Sequence, residues 1–199
     1  QSSRDGMRSQ AVSGQRVHIR TTGDIVNNDG LIQGVASTDS TLAYSVALDA
    51  GGTIVNRTTA AGADADGAII FGGDEDVSLK SGGNIENVNA RVVTNGRLVV
   101  DAGGDAINRT EYVPGSGRMD WSSEDDILFG LLSRERSGYQ VELGELADAS
   151  HLAYWVAGEG MSVHAANLHD EGGYLFANEG DIEVKVDGEE LLVMKEDDI

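Results

Sequence analysis

One eleven-residue pattern occurs four times in the first 110 residues, each time with the same internal spacing. Aliphatic residues stand at its first and third positions, Gly at the seventh, Ile or Ala at the ninth and Asn at the eleventh. The copies span residues 17–27, 46–56, 77–87 and 98–108, so their starts are 29, 31 and 21 residues apart. A unit that recurs at a period of about 20–50 residues is typical of stacked repeat architectures.

The spacing inside the motif predicts one side of a parallel β-solenoid. Val17 and Ile19 are two residues apart, so in a strand both point to the same face, and we expect that face to be the core. Three copies carry Gly-Gly at the sixth and seventh positions, which suits a tight turn with positive φ. Helical repeats are disfavoured, because each glycine would cost a helix about 1 kcal/mol. An antiparallel sandwich is the alternative, but it does not require one register in all four copies.

The Asn residue that closes each copy is expected to stack on its equivalents as a ladder of side-chain amides. Its members would be Asn27, Asn56, Asn87 and Asn108. Asn56 and Asn108 also begin Asn-Arg-Thr, the pattern of an N-glycosylation site. We interpret that match as coincidence, because both residues are predicted ladder members.

Composition changes near residue 110 and suggests two regions, 1–110 and 111–199. The first contains 13 acidic and nine basic residues, whereas the second contains 21 acidic and five basic residues and eight of the ten aromatic residues. The formal net charge of −20 argues against partners such as nucleic acids or anionic lipid surfaces. The absence of Cys excludes disulfides and Cys-based metal sites. No apolar run approaches the roughly 18 residues of a membrane span, and no signal peptide is expected.

The repeat becomes irregular in the region 111–199. Residues 174–184 match the motif except at the last position, where Val184 replaces Asn, so the solenoid is predicted to continue as a degenerate coil. Ser123 and Asp126 form a capping pattern ahead of apolar residues at helical spacing. The sequence therefore predicts a short helical insertion at about 123–136. Residues 57–67 lack an apolar pattern and are predicted to form a protruding loop.

The strand, Gly-Gly-x-Ile-x-Asn and strand sequence resembles the haemagglutinin repeats of filamentous haemagglutinin and related two-partner-secretion exoproteins. The resemblance covers about residues 12–110 well and 174–186 weakly. It implies a right-handed parallel β-helix on the surface of a Gram-negative bacterium. Family members act as adhesins or as contact-dependent growth-inhibition effectors, which are virulence-associated roles.

The resemblance also sets expectations for function. The Asn-Pro motifs of the family's secretion domain and the Val-Glu-Asn-Asn signature that precedes its toxin domains are both absent. We therefore expect an internal or distal shaft segment of a longer, non-enzymatic exoprotein. Its expected partners are a receptor (protein or glycan) on a target cell and, for the parent protein, an outer-membrane transporter. Neither nucleic-acid binding nor membrane insertion is expected.

Three groups of residues have spacings that occur near metal sites. Acids alternate at 64–67 and 72–76 as in calcium loops, but calcium sites of the repeat type need consecutive copies, so solvated acidic loops are favoured. His164 and His169, followed by Asp170 and Glu171, lack the i, i+4 spacing of a zinc-binding helix. We expect them on an exposed strand and turn. No metal or cofactor site is predicted.

No catalytic residue is predicted either. Parallel β-helices that cleave polysaccharides use clustered carboxylates or a basic residue on one face. Acids are so frequent in this chain that no pair stands out, and a nucleophile elbow and a phosphate loop are both absent. A carbohydrate-active β-helix enzyme, a lyase or hydrolase, is the alternative function.

Partner-binding residues are expected in 111–199, because aromatic and Arg side chains dominate interface energetics. The candidates are Trp121, Arg134, Arg136, Tyr139, Tyr154 and Trp155. The same aromatic residues could instead fill an irregular coil or cap the stack, since most large aromatic side chains pack inside proteins. His18 lies between two inward aliphatic residues and is expected to point outward.

Overall fold

The computed structural model describes residues 11–35, 44–59, 66–113, 117–127, 132–142, 145–146 and 151–187. All regular elements in these ranges are β-strands. The chain divides into two compact units: the first comprises Gln1–Thr110 and Asp148–Ile199, and the second is Glu111–Ala147. The chain thus returns to the first unit after the second, whereas the compositional boundary near residue 110 placed everything beyond it in one region.

The strands follow one another at short intervals. Those before the second unit are β1 (Ala11–Gly14), β2 (Val17–Thr21), β3 (Ile25–Asn28), β4 (Leu31–Gly34), β5 (Tyr44–Ala50), β6 (Ile54–Arg57), β7 (Ile69–Gly72), β8 (Asp76–Ser81), β9 (Ile85–Val88), β10 (Arg91–Thr94), β11 (Arg97–Ala102) and β12 (Ala106–Arg109). Those of the second unit are β13 (Tyr112–Val113), β14 (Gly117–Ile127), β15 (Leu132–Glu142) and β16 (Glu145–Leu146). Those after it are β17 (Tyr154–Ala157), β18 (Gly160–Ala165), β19 (Leu168–Glu171), β20 (Tyr174–Ala177) and β21 (Ile182–Val186).

Three parallel sheets make up the first unit. Sheet A has the order β1-β4-β7-β10-β17-β20, sheet B the order β2-β5-β8-β11-β18-β21, and sheet C the order β19-β12-β9-β6-β3. Successive strands along the chain visit different sheets, so each turn of the chain adds one strand to each of the three. This arrangement is consistent with a β-solenoid. We call one circuit a coil.

The predicted stacking of the motif is confirmed. The first-position residues pair in register from strand to strand, as do the third-position residues: Val17, Val46, Val77 and Leu98, and Ile19, Leu48, Leu79 and Val100. All except Ile19 are buried, whereas His18 is exposed between two of them as expected. Complete burial of such an aliphatic side chain contributes roughly 1.5–3 kcal/mol, so the core is a column that every coil extends.

The motif supplies two sides of each coil rather than one. Its first half forms a strand of sheet B and its second half a strand of sheet C. The segments between motif copies, which have no common sequence pattern, supply sheet A. Their inward residues Ile32, Ile70 and Val92 are buried and pair in register.

The conformation expected for the Gly-Gly pairs is wrong. Among the described residues, the glycines with positive φ are Gly67, Gly160 and Gly172, none of which belongs to one of these pairs. The pairs are needed because neighbouring coils approach closely at the turn. A Cβ atom on Gly103 would lie 2.6 Å from the carbonyl oxygen of Gly82 in the previous coil. Backbone atoms cannot yield as side chains do, so any larger residue would force the coils apart.

The predicted helix at about 123–136 is also wrong. Residues 117–127 and 132–142 are the paired antiparallel strands β14 and β15, with eleven residues in register on each side. Ser123, expected as the helix N-cap, pairs with Arg136 across this hairpin. Residues 128–131, which contain part of the apolar spacing behind the prediction, lie outside the described residues.

The solenoid continues after the hairpin, but in a different register from the predicted one. Tyr174, expected at the inward first position, pairs instead with Tyr154 in sheet A and is exposed. The residue that continues the first-position column is Ile182, which pairs with Met161. Met161 in turn pairs with Leu98, so β18 and β19 form a fifth copy of the motif that the sequence pattern did not reveal.

Candidate functional site

The hairpin departs from the fourth coil at a corner that is closed by a threonine. Thr110 Oγ1 accepts a hydrogen bond of 2.9 Å from the backbone N–H of Ala153, the residue at which the chain re-enters the coil. Thr58 makes the same 2.9 Å bond to Ala68. It lies within the segment 57–67 that was predicted to be a protruding loop, of which residues 60–65 lie outside the described residues. At an uninterrupted corner Asn89, with φ of 48°, turns the chain directly into the next strand. The threonine hydroxyl therefore holds the two ends of an insertion together, and the strands on either side of the insertion stay in register with those of the neighbouring coils.

Trp121 is held flat on the hairpin by the residue opposite it. It pairs with Gly138 across the two strands. A Cβ atom on Gly138 would lie 2.9 Å from Cε2 and Cζ2 of the indole and 3.1 Å from Nε1, so the ring covers the glycine. An aromatic side chain over a cross-strand glycine shields the backbone that the missing side chain leaves bare. The ring therefore packs against the backbone of the opposite strand without being buried.

Exposed apolar side chains lie on both faces in the middle of the hairpin. Trp121 is 50% exposed and Tyr139 is 63% exposed, and Met119 and Val141 are similarly accessible. A shallow depression of about 580 Å³ is lined by Asp120, Trp121, Ser122, Ser137, Gly138 and Tyr139. Residues paired across an antiparallel ladder share a face, and successive residues alternate between faces. Met119 and Trp121 therefore lie on one face of the hairpin and Tyr139 and Val141 on the other, and each face carries two neighbouring exposed apolar groups of the kind that marks interaction sites. This stretch of hairpin is the candidate functional site.

The other aromatic candidates have structural positions. Trp155 is fully buried and continues the inward column of sheet A, next to Val92. Tyr154 faces outward and stacks on Tyr174, with ring centroids 5.2 Å apart. The side chains of Arg134 and Arg136 lie outside the described part of β15. Among the candidates of the sequence analysis, Trp121 and Tyr139 are therefore the ones that remain as exposed anchors.

The predicted amide ladder is confirmed, and it extends one step further than predicted. Each side-chain Nδ2 donates to the Oδ1 of the next member, at 2.7 Å for the first step and 2.8 Å for the next two. The fourth step runs from Asn108 to Asp170, at 2.9 Å. Asn56 and Asn108 are buried, so their Asn-Arg-Thr patterns do not present an accessible amide for glycosylation.

Asp170 ends this ladder as an acceptor. An ionised carboxylate has no N–H or O–H with which to continue the series. Partial loss of hydration raises the pKa of Asp170, although the residue as a whole is exposed and the hydrogen bond from Asn108 opposes this effect. Because the folded state holds the proton more tightly than the unfolded state, the contribution of this group to stability is largest in acid. It is lost as pH rises through the raised pKa.

Asp170→Asn is accordingly expected to stabilise the protein near neutral pH. The amide still accepts the bond from Asn108 but carries no partly dehydrated charge. We expect the melting temperature to rise by about 1–3 °C at pH 7, with the difference shrinking toward pH 4 as the wild-type carboxyl becomes protonated. Thermal melts followed by circular dichroism across this range test it, with Asp181→Asn, an exposed aspartate that is not part of the ladder, as control. A melting temperature of the wild type at pH 7 that is equal to or higher than that of Asp170→Asn would contradict the assignment.

The acidic segment 72–76 is connected to its neighbours. Glu75 forms an ion pair with Arg16, Asp74 accepts from Asn95, and Asp76 accepts from the backbone N–H of Arg97. Asp64 lies outside the described residues. Within the described ranges, no group of three or more His, Asp or Glu side chains is placed to hold a metal ion.

His164 and His169 face acidic residues of the preceding coil. His164 Nδ1 lies 3.0 Å from Asp101 Oδ1, and His169 Nε2 lies 3.8 Å from Asp105 Oδ2. All four side chains are at least one-third exposed. Exposed pairs of this kind contribute about 0–1 kcal/mol, and both connect consecutive coils.

No protein-family model matches this chain, and neither a curated protein nor a solved structure matches it. In the part of the chain that the structure describes, there is no helix long and apolar enough to cross a membrane.

Proposed function

We propose that this chain is a non-enzymatic segment of a large secreted bacterial surface exoprotein, either an adhesin or the stalk of a contact-dependent inhibition protein. The first unit acts as a shaft, and the hairpin of the second unit contacts a receptor on a target cell. In this proposal the shaft is a right-handed β-helix, because parallel crossover connections are right-handed in about 98% of cases. The parent protein reaches the surface of a Gram-negative bacterium through an outer-membrane transporter of the two-partner type.

The observation that carries the proposal is the combination of a continuous coil stack with a single long hairpin, within the described residues, that interrupts the chain without interrupting the stack. Leu98 and Met161 pair in register although the hairpin separates them in sequence. The hairpin therefore has no part in connecting the coils. Its exposed Trp121 and Tyr139 are of the residue types that dominate interfaces, whereas the outer face of sheet B presents Arg20, Asp49, Lys80 and other polar side chains.

Removal of the hairpin tests both parts of the proposal. Deleting residues 111–152 together with the substitution Thr110→Asn places an asparagine directly before Ala153, which reproduces the uninterrupted corner Asn87-Val88-Asn89-Ala90. We expect a folded shaft whose melting temperature falls by no more than about 4 °C, owing to the loss of the buried His151. Binding of the labelled protein to a panel of bacterial and epithelial cells should be lost.

The control is the full chain with Tyr174→Ser, which changes an exposed aromatic residue of the shaft. It should bind cells as the wild type does. Cell binding that survives the deletion, or deletion that unfolds the shaft, would contradict the proposal. A polysaccharide depolymerisation screen separates the enzymatic alternative, because reproducible release of oligosaccharides by the full chain would overturn a non-enzymatic role.

A further inference from the structure

We propose that Trp121 receives a guanidinium or ammonium group from an Arg- or Lys-containing segment of a protein partner. This inference rests on the proposed function, since it specifies what the hairpin contacts. It assigns the indole face as the binding platform and a basic peptide segment as its ligand class.

The first argument is the geometry of the ring. Gly138 covers one face of the indole, and the side chain as a whole remains 50% exposed. Because the ring already packs over Gly138, less side-chain freedom is lost when a ligand stacks on its open face than for a side chain without such a contact, which favours affinity. Trp is also the aromatic residue whose face attracts a cation most strongly.

The second argument is charge complementarity. Residues 111–147 contain eight acidic and three basic side chains, and the whole chain carries −20. A potential of this sign attracts a cationic segment and repels an acidic one. The platform and the net negative charge of the unit thus favour the same class of partner, whereas a neutral glycan would gain nothing from the charge.

Binding of two matched peptides to the full chain tests the proposal. The probe is a fluorescein-labelled decapeptide of alternating Arg and Gly, and the comparison peptide has Gln in place of Arg. Anisotropy should show salt-sensitive binding of the Arg peptide and weak binding of the Gln peptide. In addition, the fluorescence of Trp121 should change on binding while the fully buried Trp155 contributes a constant signal.

Three variants separate stacking on the indole from attraction by charge alone. Trp121→Leu should weaken binding of the Arg peptide by about 3- to 30-fold. Gly138→Val, which keeps the tryptophan but displaces its ring, should also weaken binding of the Arg peptide. Tyr112→Ser removes another exposed aromatic residue of this unit without changing its charge, and should leave the affinity unchanged.

The proposal is overturned if Trp121→Leu and Tyr112→Ser bind the Arg peptide as the wild type does, because charge alone then explains the binding. It is also overturned if the Gln peptide or a chitin oligosaccharide binds as tightly as the Arg peptide. These failures are distinguishable from failure of the proposed function. A hairpin deletion that abolishes cell binding, combined with Trp121-independent peptide binding, rejects the ligand class and leaves the receptor-contact role standing.

Discussion

Leu79→Asp is expected to unfold the first compact unit. Leu79 is 1% exposed and lies between Leu48 and Val100 in the third-position column. The substitution removes roughly 1.5–3 kcal/mol of apolar burial and places a carboxylate where it has no hydrogen-bond partner, which costs several kcal/mol more. The sum is comparable to the whole stability of an ordinary domain, about 5–15 kcal/mol. Circular dichroism at 25 °C should show loss of the β-sheet signal.

The matched control is Ser78→Asp, which introduces the same residue one position earlier on the same strand. Ser78 points outward between the paired residues Ala47 and Val99, so we expect a change within about 0.5 kcal/mol. His18→Ala, at another outward position, should be equally mild. Equal destabilisation by Leu79→Asp and Ser78→Asp would contradict the assignment of the core face.

Asn87→Leu is expected to cost about 2–6 kcal/mol, the second largest effect. It leaves Asn108 Oδ1 without its donor, which costs about 1–3 kcal/mol, and removes two further hydrogen bonds worth about 0.5–1.5 kcal/mol each, although Ala90 O still accepts from Tyr154 and Asn56 Nδ2 still donates to Arg91 O. Asn87 Nδ2 donates to Ala90 O and to Asn108 Oδ1, and its own Oδ1 accepts from Asn56. Leucine has similar volume but makes none of these bonds. Urea denaturation followed by circular dichroism measures the loss.

The control for this substitution is Asn28→Leu. Asn28 also lies in a strand of sheet C, but it is exposed and follows the ladder residue by one position. Its replacement should change the free energy of unfolding by less than about 0.5 kcal/mol. If the two variants lost the same stability, the ladder would be a packing arrangement whose hydrogen bonds do not stabilise the fold.

Much of the fold could be predicted because every coil places the same requirements on the same motif positions. The paired aliphatic positions and the closing Asn are fixed by the core column and by the ladder, and both repeat at each coil. Sheet A could not be predicted in the same way. Its strands require only inward apolar residues, such as Ile70 and Val92, and leave their outward positions unconstrained. The segments that form it therefore share no recognisable pattern.

The glycine pairs show that a correct pattern can have a different physical cause from the one inferred. The first copy has Thr22 where the next three have the first glycine of the pair. A Cβ at that position points toward the preceding coil, as it would at Gly51 toward Thr22. The described residues contain no strand of sheet B or C ahead of β2 and β3, so Thr22 has room. Contact between coils, and not the sign of φ, therefore decides which residue type fits at this position.

The fifth copy of the motif escaped detection for two local reasons. The first and ninth positions of this copy, Met161 and Leu168, pair in register with Leu98 and Ala106 of the copy before it. The chain between Met161 and Leu168 is nevertheless one residue shorter than the chain between Leu98 and Ala106, so the eleven-residue spacing is lost. In addition, Asp170 takes the place of the ladder Asn. The match at 174–184, which lacks only the closing Asn, spans sheets A and B, whereas the true copies of the motif span sheets B and C.

The helix prediction failed because local signals were weaker than pairing. Ser123 and Asp126 satisfy a capping pattern, but a cap contributes only about 1 kcal/mol. Eleven cross-strand pairs along β14 and β15 outweigh it.

The candidate site also could not be located from local sequence alone. Composition treats Trp121 and Trp155 alike, and only their positions on strands show that one is exposed and the other buried.

The most direct test of the coil stack uses disulfide formation in a chain that has no cysteine of its own. Ser78 and Val99 are in-register partners on neighbouring strands, and strands that are about 4.8 Å apart fall within the range of Cα separations that a disulfide can span. The account predicts that the double variant Ser78→Cys/Val99→Cys oxidises to an intramolecular disulfide, detected by mass spectrometry of tryptic peptides. The pair Ser78→Cys/Ser162→Cys, two coils apart, should remain reduced under the same conditions. A disulfide that forms in the second pair and not in the first would contradict in-register parallel stacking.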